Sequence, residues 1–306
     1  MMFGQIIPLF FSLFFLPGFF ILSLWKSSNR SRFEWLLRVV NAAAVVLFIF
    51  IIGPWDWFSY YLRYLLLVLL AAAALVSYHS AQGRPFFLNS LRDTLRSSFF
   101  GLLEAVVLLG LLIFVLTGHF YFEEPVELAF PLQDGFYYVG QGGNNVLVNY
   151  HNVSRAQKYA LDIVALNAAG LRARGFYPAE LERYVIYGAP LYCPCDGEVV
   201  AAVDGLPDQI PPAADSENAA GNHVAISCKG VIVLLAHLQP GSLLVQAGDT
   251  VTTGQPLGRV GNSGNTSEPH LHIHAIKGGA GDVLAGEGVP VIFDNRFPVR
   301  NSVFIR

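Results

Sequence analysis

Charge is what this chain has least of. Only 13% of its 306 residues are charged, against 54% hydrophobic, and its mean hydropathy is positive. That balance excludes an ordinary water-soluble chain. A net charge of −3 removes the electrostatic reason to expect a nucleic-acid partner. Cysteine is scarce too: Cys193, Cys195 and Cys228 are the three, and no pair has zinc-finger spacing. Outside a membrane Cys195 and Cys228, in separate expected strands, are a candidate disulfide pair; buried free thiols are the alternative. The first apolar stretch lacks a basic leader and is too long for the core of a typical secretory signal, so it does not read as a cleavable signal peptide. Beyond the apolar segments there is no internal repeat.

What the chain has instead is long apolar runs at its front. Residues 6–25 read IIPLFFSLFFLPGFFILSLW without a charge, and further runs follow near 37–53, 60–78 and 98–117. A membrane-spanning helix needs about 20 mostly apolar residues. Buried core helices usually keep a polar face, and these runs show almost none, which argues for four spans. The first loop carries Lys26, Arg30, Arg32 and Arg38 against Glu34; the third carries Arg84, Arg92 and Arg96 against Asp93. After the fourth run come Glu123, Glu124, Glu127 and Asp134, with no Lys or Arg before Arg155. Short basic loops stay in the cytoplasm, so both termini are expected outside, with Trp55, Trp57, Tyr60 and Tyr61 at the outer interface. Glu104 lies inside the fourth run, where an acid is costly and is by default a functional hypothesis; its nearness to the cytoplasmic end favours a protonated or interface-reaching side chain.

Composition changes near Gly118. The expected organisation is an all-α four-helix transmembrane region over 1–117, a polar connector over 118–134, and an all-β extracytoplasmic domain over 135–306. In the last, short apolar runs such as NNVLVNY, GEVVAAV, NHVAIS, VIVLLAHL and HLHIHAI are separated by Gly, Asn, Asp and Pro. One helix is expected near 178–187, PAELERYVIY, with acids in its first turn. The polar segment 205–222, GLPDQIPPAADSENAAGN, reads as a long functional or disordered loop.

The stretch GNSGNTSEPHLHIHA sets His270, His272 and His274 at every second position after a turn. In a strand, such residues share a face and stand about 6.6–7 Å apart along the chain. Leu271, Ile273 and Ala275 then pack inward. Two imidazoles at that spacing cannot easily both reach one metal at about 2.0–2.1 Å; one can bind while its neighbour faces the metal's open position. Three surface histidines are the plain alternative. Two other stretches weigh against it. VIVLLAHLQPGS puts His237 at the end of an apolar strand, and KYALDIV puts Asp162 inside another, where an unpaired carboxylate is expensive.

PHLHIHA after GNSGN, AHL about thirty residues earlier and ALDI upstream resemble the lysostaphin-type (LytM-like) zinc metalloendopeptidases that cut peptidoglycan peptides. The resemblance covers roughly 140–280 and takes in YGAPLYCPCDGEVV, GNHVAIS and AGDTVTTGQPLGRVGNSG in order. The glycine-rich hairpin alone also resembles carrier domains for biotin or lipoate, but no modifiable lysine stands at its tip. The resemblance implies a lysostaphin-type barrel-sandwich (duplicated hybrid motif) fold, one Zn²⁺ per domain and peptidoglycan peptides as substrate. Together with the apolar runs, it makes the expected protein an integral protein of a bacterial cytoplasmic membrane, in contact with lipid. By position it makes Asp162 and His272 metal ligands, and His237 and His270 the pair flanking the catalytic water, with their division of labour open. His274 falls outside the pattern, as a groove-wall residue or a support for the ligands. Lys158 departs from the pattern, standing where the family has its first histidine ligand, and a protonated lysine has no lone pair to give. His151 is the expected replacement, with His223 the other candidate. Should neither reach the metal, the domain becomes a silent cell-wall-binding scaffold that activates another hydrolase. A membrane sensor or transporter with an accessory β domain has Glu104 alone behind it.

Overall fold

The structure, a computed structural model, describes residues 7–26, 29–278 and 285–306; the first residue of the expected first span, Ile6, lies outside them. The chain divides into two compact units. One comprises Met1–Gly53 and Tyr61–Leu116, the other Pro54–Tyr60 and Thr117–Arg306.

The first unit is helical. Its elements are α1 (Ile7–Trp25), α2 (Arg32–Ile52), α3 (Leu62–Ala81), the short α4 (Leu91–Ser97) and α5 (Phe99–Thr117). All but α4 are long and apolar enough to cross a membrane. In α1 the turn Phe11–Phe15 widens to a π-helix just before Pro17, which has no N–H to continue the regular ladder. Ser31 caps α2 by accepting from the Glu34 amide at 3.1 Å. Glu104 lies in the second turn of α5, and its carboxylate is not orphaned. The Asn41 side-chain amide donates to it at 2.7 Å, joining α2 to α5.

The second unit is a β domain with strands β1 (Val126–Glu127), β2 (Phe136–Gln141), β3 (Leu161–Ala165), β4 (Pro190–Tyr192), β5 (Gly197–Val203), β6 (Asn222–Cys228), β7 (Val231–Leu238), β8 (Thr250–Val251), β9 (Pro256–Arg259), β10 (Leu271–Lys277), β11 (Glu287–Val289), β12 (Val291–Ile292) and β13 (Val303–Ile305). The main sheet runs β13-β2-β3-β10-β7-β6-β5-β8, with β11 also on β10; β4 pairs β9, and β1 pairs β12. Neighbours in the main sheet are antiparallel. Leu271, Ile273 and Ala275 enter the hydrophobic core with Val233, Leu235, Leu161 and Ile163, as alternation along β10 requires. Cys195 and Cys228 form a disulfide, and Cys193 is a buried free thiol.

Two expectations change. The helix expected near 178–187 is a single 3₁₀ turn, Leu181–Arg183, because Tyr184 and Ile186 are drawn into the interior and the backbone bridges back to Ala173 instead of coiling. The stretch 118–134 is more than a connector: it supplies β1, and Leu128 and Leu132 are buried in the core. The β domain also takes in Pro54–Tyr60, from between α2 and α3. Tyr60 packs with Tyr138, Val164 and Leu166.

Candidate active site

The central pair is set by strand register. β10 lies between β3 and β7, and His272 stands directly opposite Asp162 on one side and Ala236 on the other. The two side chains meet, with His272 Nδ1 2.9 Å from Asp162 Oδ1. His151 arrives from a 3₁₀ turn, Tyr150–Val153, whose N-cap Asn149 accepts from the His151 amide. Its Nε2 is 3.0 Å from both Asp162 oxygens. His151, Asp162 and His272 each offer one ligand atom within 4.8 Å of the others, and His237, His270 and His272 form a second such group. His223 is in neither. It sits half-buried at the start of β6, with Nδ1 2.7 Å from the Gly221 carbonyl.

Lys158 turns elsewhere. Its ammonium pairs with Glu123 at 2.7 Å, and Tyr159 donates to the same carboxylate. Burial alone would raise the Glu123 carboxyl, but those partners bring it down to about 2.

His237 is placed by a bulge. Asn222 pairs Leu238 while Val224 pairs Leu235, so β7 carries an extra residue there, and His237 takes a left-handed φ of 65°, a conformation in which His is enriched. The turn at 261–264 then fixes the ring. His237 Nδ1 donates to the Ser263 carbonyl at 2.9 Å, while the Ser263 hydroxyl donates to Leu238 O and accepts from Asn222 N, both at 2.8 Å. His270 Nδ1 donates to the Glu268 carbonyl at 2.8 Å. Both rings therefore carry their proton on Nδ1 and leave Nε2 to the site. The ring centroids of His237 and His270 are 4.7 Å apart.

The site is dry. Asp162, His151, His237, His270, His272 and His274 are all buried, so the alternate histidines at 270, 272 and 274 are not a solvated face. Burial would raise the Asp162 carboxyl, but His151 and His270 outweigh it and hold it well below the usual range. Burial and the neighbouring His270 and His272 push His237 well down. His270 is pulled up by Asp162 against its own burial. Tyr150 hydroxyl donates to Asp162 Oδ2 at 3.2 Å.

The residues fit a metal ion by donor chemistry. Two imidazoles and a carboxylate are the set expected of a hydrolytic zinc site with one open position. The two imidazoles stand 2.9–3.0 Å from the Asp162 carboxylate, near the ligand–ligand edge of about 3.3 Å that bonds of about 2.0–2.1 Å give in a tetrahedron. Each imidazole is also held from behind. His151 Nδ1 lies 3.0 Å from Gln157 Oε1 and His272 Nε2 lies 2.9 Å from His274 Nδ1, the outer contacts that orient ligating histidines.

Two hollows flank the cluster. A cavity of about 350 Å³ is lined by Asp162, His270, Tyr150, Glu268, Asp56 and Arg300 among others. A smaller one of about 190 Å³ is lined by His151, His237 and His272. The 205–222 segment borders both, through Ala214 and through Ala219 and Ala220, and Asp208 ties it to the 261–264 turn by accepting from Asn262 N at 2.6 Å.

Residues 184–283 match the model of Peptidase family M23. The chain carries an M23 peptidase domain. The matched stretch contains His237, His270 and His272 of the M23 domain, and begins after His151, Lys158 and Asp162, where the ligand pattern departs. Among curated proteins nothing matches the chain. Among solved structures, a zinc-containing peptidase from Vibrio cholerae is 21% identical over 50% of this chain and 37% of its own, with a TM-score of 0.31. A putative M23 peptidase from Pseudomonas aeruginosa is 18% identical over 50% of this chain and 48% of its own, TM-score 0.27. The catalytic domain of lysostaphin from Staphylococcus simulans is 20% identical over 37% of this chain and 84% of its own, TM-score 0.23. The chain thus spans less than half the length of the first two.

Sequence reasoning missed Asp56, which lines the larger cavity, and Arg172, buried beside Asp56 and Glu268. Both are ordinary surface residue types, and no local pattern marks them for burial.

Proposed function

We propose that this protein is a membrane-anchored, zinc-dependent endopeptidase that hydrolyses peptide bonds of peptidoglycan on the outer side of a bacterial cytoplasmic membrane. The observation that carries the reading is the convergence of His151, Asp162 and His272 within ligand distance, with the Nδ1-protonated rings of His237 and His270 beside them. His151, Asp162 and His272 would hold the ion. Zinc in that position supplies Lewis acidity, polarising a scissile carbonyl and acidifying water.

The remaining steps belong to the protein. His237 is kept neutral by burial and by its histidine neighbours, so its Nε2 lone pair takes the proton of the attacking water. Asp162 draws His270 toward its charged form, which suits it to steady the negative oxygen of the tetrahedral adduct. Burial of the site keeps both effects from being screened by solvent. The four apolar helices, the basic loops at 26–38 and 84–96 and the Cys195–Cys228 disulfide agree with a domain held outside the membrane.

The test uses the full chain in detergent. Zinc content is measured for the parent, His151→Ala and His272→Ala, and peptidoglycan products are analysed by mass spectrometry. The parent is expected to hold stoichiometric zinc and to release peptide fragments; both variants are expected to lose both. Undiminished zinc in His151→Ala would remove that ligand. A parent without zinc or products leaves the cell-wall scaffold as the reading.

A further inference from the structure

The larger cavity beside the cluster has a wall that the peptidase reading does not use. Pro54, Asp56 and Trp57, from between α2 and α3, form that wall with Glu268, Gln141 and Arg300. The loop is firmly built in. Trp55 N donates to Tyr138 OH at 3.3 Å, Arg172 N to Asp56 O at 3.1 Å, and Trp57 stacks on Tyr177 at 5.6 Å between centroids.

Two opposite charges face this hollow without satisfying each other. The Asp56 side chain is only 7% exposed, and its nearest cation, Arg172 Nε, is 3.7 Å away. Arg172 is already engaged. Its Nε donates to Glu268 at 2.7 Å, its Nη2 to Phe176 O at 3.1 Å, and its guanidinium lies 3.7 Å from the centre of the Trp57 ring. Burial consequently pushes the Asp56 carboxyl up to about 6, with Arg172 and Arg300 lowering it and Glu268 raising it. Arg300 spends Nη1 on Gln141 Oε1 at 3.0 Å, while its buried Nε has no partner. Among the described residues no ion pair joins Asp56 to Arg300.

Leaving a buried carboxylate and a buried guanidinium N–H under-satisfied is costly. A ligand carrying the opposite pair of charges compensates both from the cavity side, with its cation at Asp56 and its anion at the part of Arg300 that lines the hollow. We propose that this cavity is a subsite for a zwitterionic segment of the substrate peptide, an ammonium lying against Asp56 and Glu268 and a free carboxylate against Arg300. The cavity's volume, about 350 Å³, is at the lower end of small-ligand sites, about 300–1,000 Å³, so it holds one or two residues and not a long strand. Asp162 and His270 line the same hollow, so a segment seated there brings an adjoining peptide bond to the proposed metal site. The inference rests on the peptidase reading for the nature of the ligand. It makes that enzyme selective for bonds close to a free carboxyl end.

Binding is measured to the full chain in detergent, with three probes: N-acetyl-Ala-Glu-Lys-Ala, its C-terminal amide, and the same peptide acetylated on the lysine amine. Each cap is expected to weaken binding to the parent by about tenfold or more, the worth of one charge-assisted contact. Asp56→Asn should shrink the penalty of lysine acetylation severalfold, Glu268 alone being left to face the ammonium, and keep that of the amide; Arg300→Gln should shrink the penalty of the amide and keep that of acetylation. Equal binding of all three probes by the parent, or penalties unchanged in both variants, overturns the subsite. Should Asp56→Asn fail to fold, the parent and Arg300→Gln still decide. Hydrolysis is followed alongside. Selective binding without hydrolysis removes the peptidase and keeps the subsite; hydrolysis without selectivity removes the subsite and keeps the peptidase.

Discussion

At the scale of single residues, much of the candidate site was legible. Asp162, His237, His270 and His272 stand out as polar residues at the ends or centres of apolar strands, and Lys158 as a residue that cannot give a lone pair. His151 was legible only as the nearest upstream histidine; what brings it in is the Asn149-capped turn, a feature with no periodicity to read. His274 is explained by its partner. With Nδ1 of His272 donating to the Asp162 carboxylate, Nε2 of the neutral ring accepts from His274 Nδ1, and the buried His274 Nε2 has no partner among the described residues. Asp56 was not legible as a site residue, since its neighbours come from far along the chain. Its carboxyl, raised from 3.8 to about 6 in the folded protein, contributes stability that is fully present below the unfolded value. That contribution is lost as pH rises through the folded one. Asp56→Asn should therefore remove this contribution to the pH slope of thermal unfolding between about 4 and 6 and leave the variant more stable than the parent above it. The gain should be on the order of 2–3 kcal/mol. Thermal melts of both proteins across that range check this; an unchanged slope refutes it.

Among elements, β10 was read correctly because alternation is the strongest signal a strand has, and its register against β3 follows from burying Leu271, Ile273 and Ala275 together. The turn before it was recognised by composition, but its purpose was not. Gly221 and Gly264 press against each other at positive φ: a Cβ on Gly264 would lie 2.4 Å from Gly221 N, and one on Gly221 2.2 Å from Ser263 O. This close approach lets Ser263 reach both His237 and Asn222. The failed helix at 178–187 shows the opposite case, where acidic first-turn residues and good helix formers were overridden by burial of Tyr184 and Ile186. Gly264→Ala should push the turn away from Gly221 and release His237 from the Ser263 carbonyl. The expected result is at least about tenfold lower kcat, as for loss of a positioned general base, with zinc content retained because His237 is not among the proposed ligands. Parallel zinc and turnover measurements test it; loss of zinc with the turnover would mean that the turn supports the ligands instead.

For the whole molecule, the division into an apolar helical front and a β-rich remainder was plain from hydropathy, and what escaped was that the two interleave in sequence. The chain passes between the units after Gly53, after Tyr60 and after Leu116. A seven-residue loop between two apolar helices gives no periodic signal, and the sequence offered only an interface role for its aromatics. Its packing shows a role inside the β domain. Trp55 is wholly buried, Tyr60 sits edge-on to Phe136 and Tyr138 at 5.8 and 6.1 Å, and the Ser59 hydroxyl donates to Ala169 O at 2.7 Å. The β domain is therefore incomplete as the contiguous fragment Thr117–Arg306. Removing the loop uncovers Tyr138, Val164 and Leu166 beside the strand that carries Asp162. Trp55→Ala in the full chain should cost about 3–5 kcal/mol, as large aromatic truncations in cores do. The loss should fall on the β unit, so that near-UV ellipticity melts earlier while the far-UV helix signal keeps its transition. The fragment Thr117–Arg306 should melt at least as early as the Trp55→Ala chain and bind zinc more weakly than the full protein. A fragment as stable as the parent's β unit, with equal zinc affinity, would show the loop to be dispensable. It would also confine Asp56 and Trp57 to a wall the domain can do without.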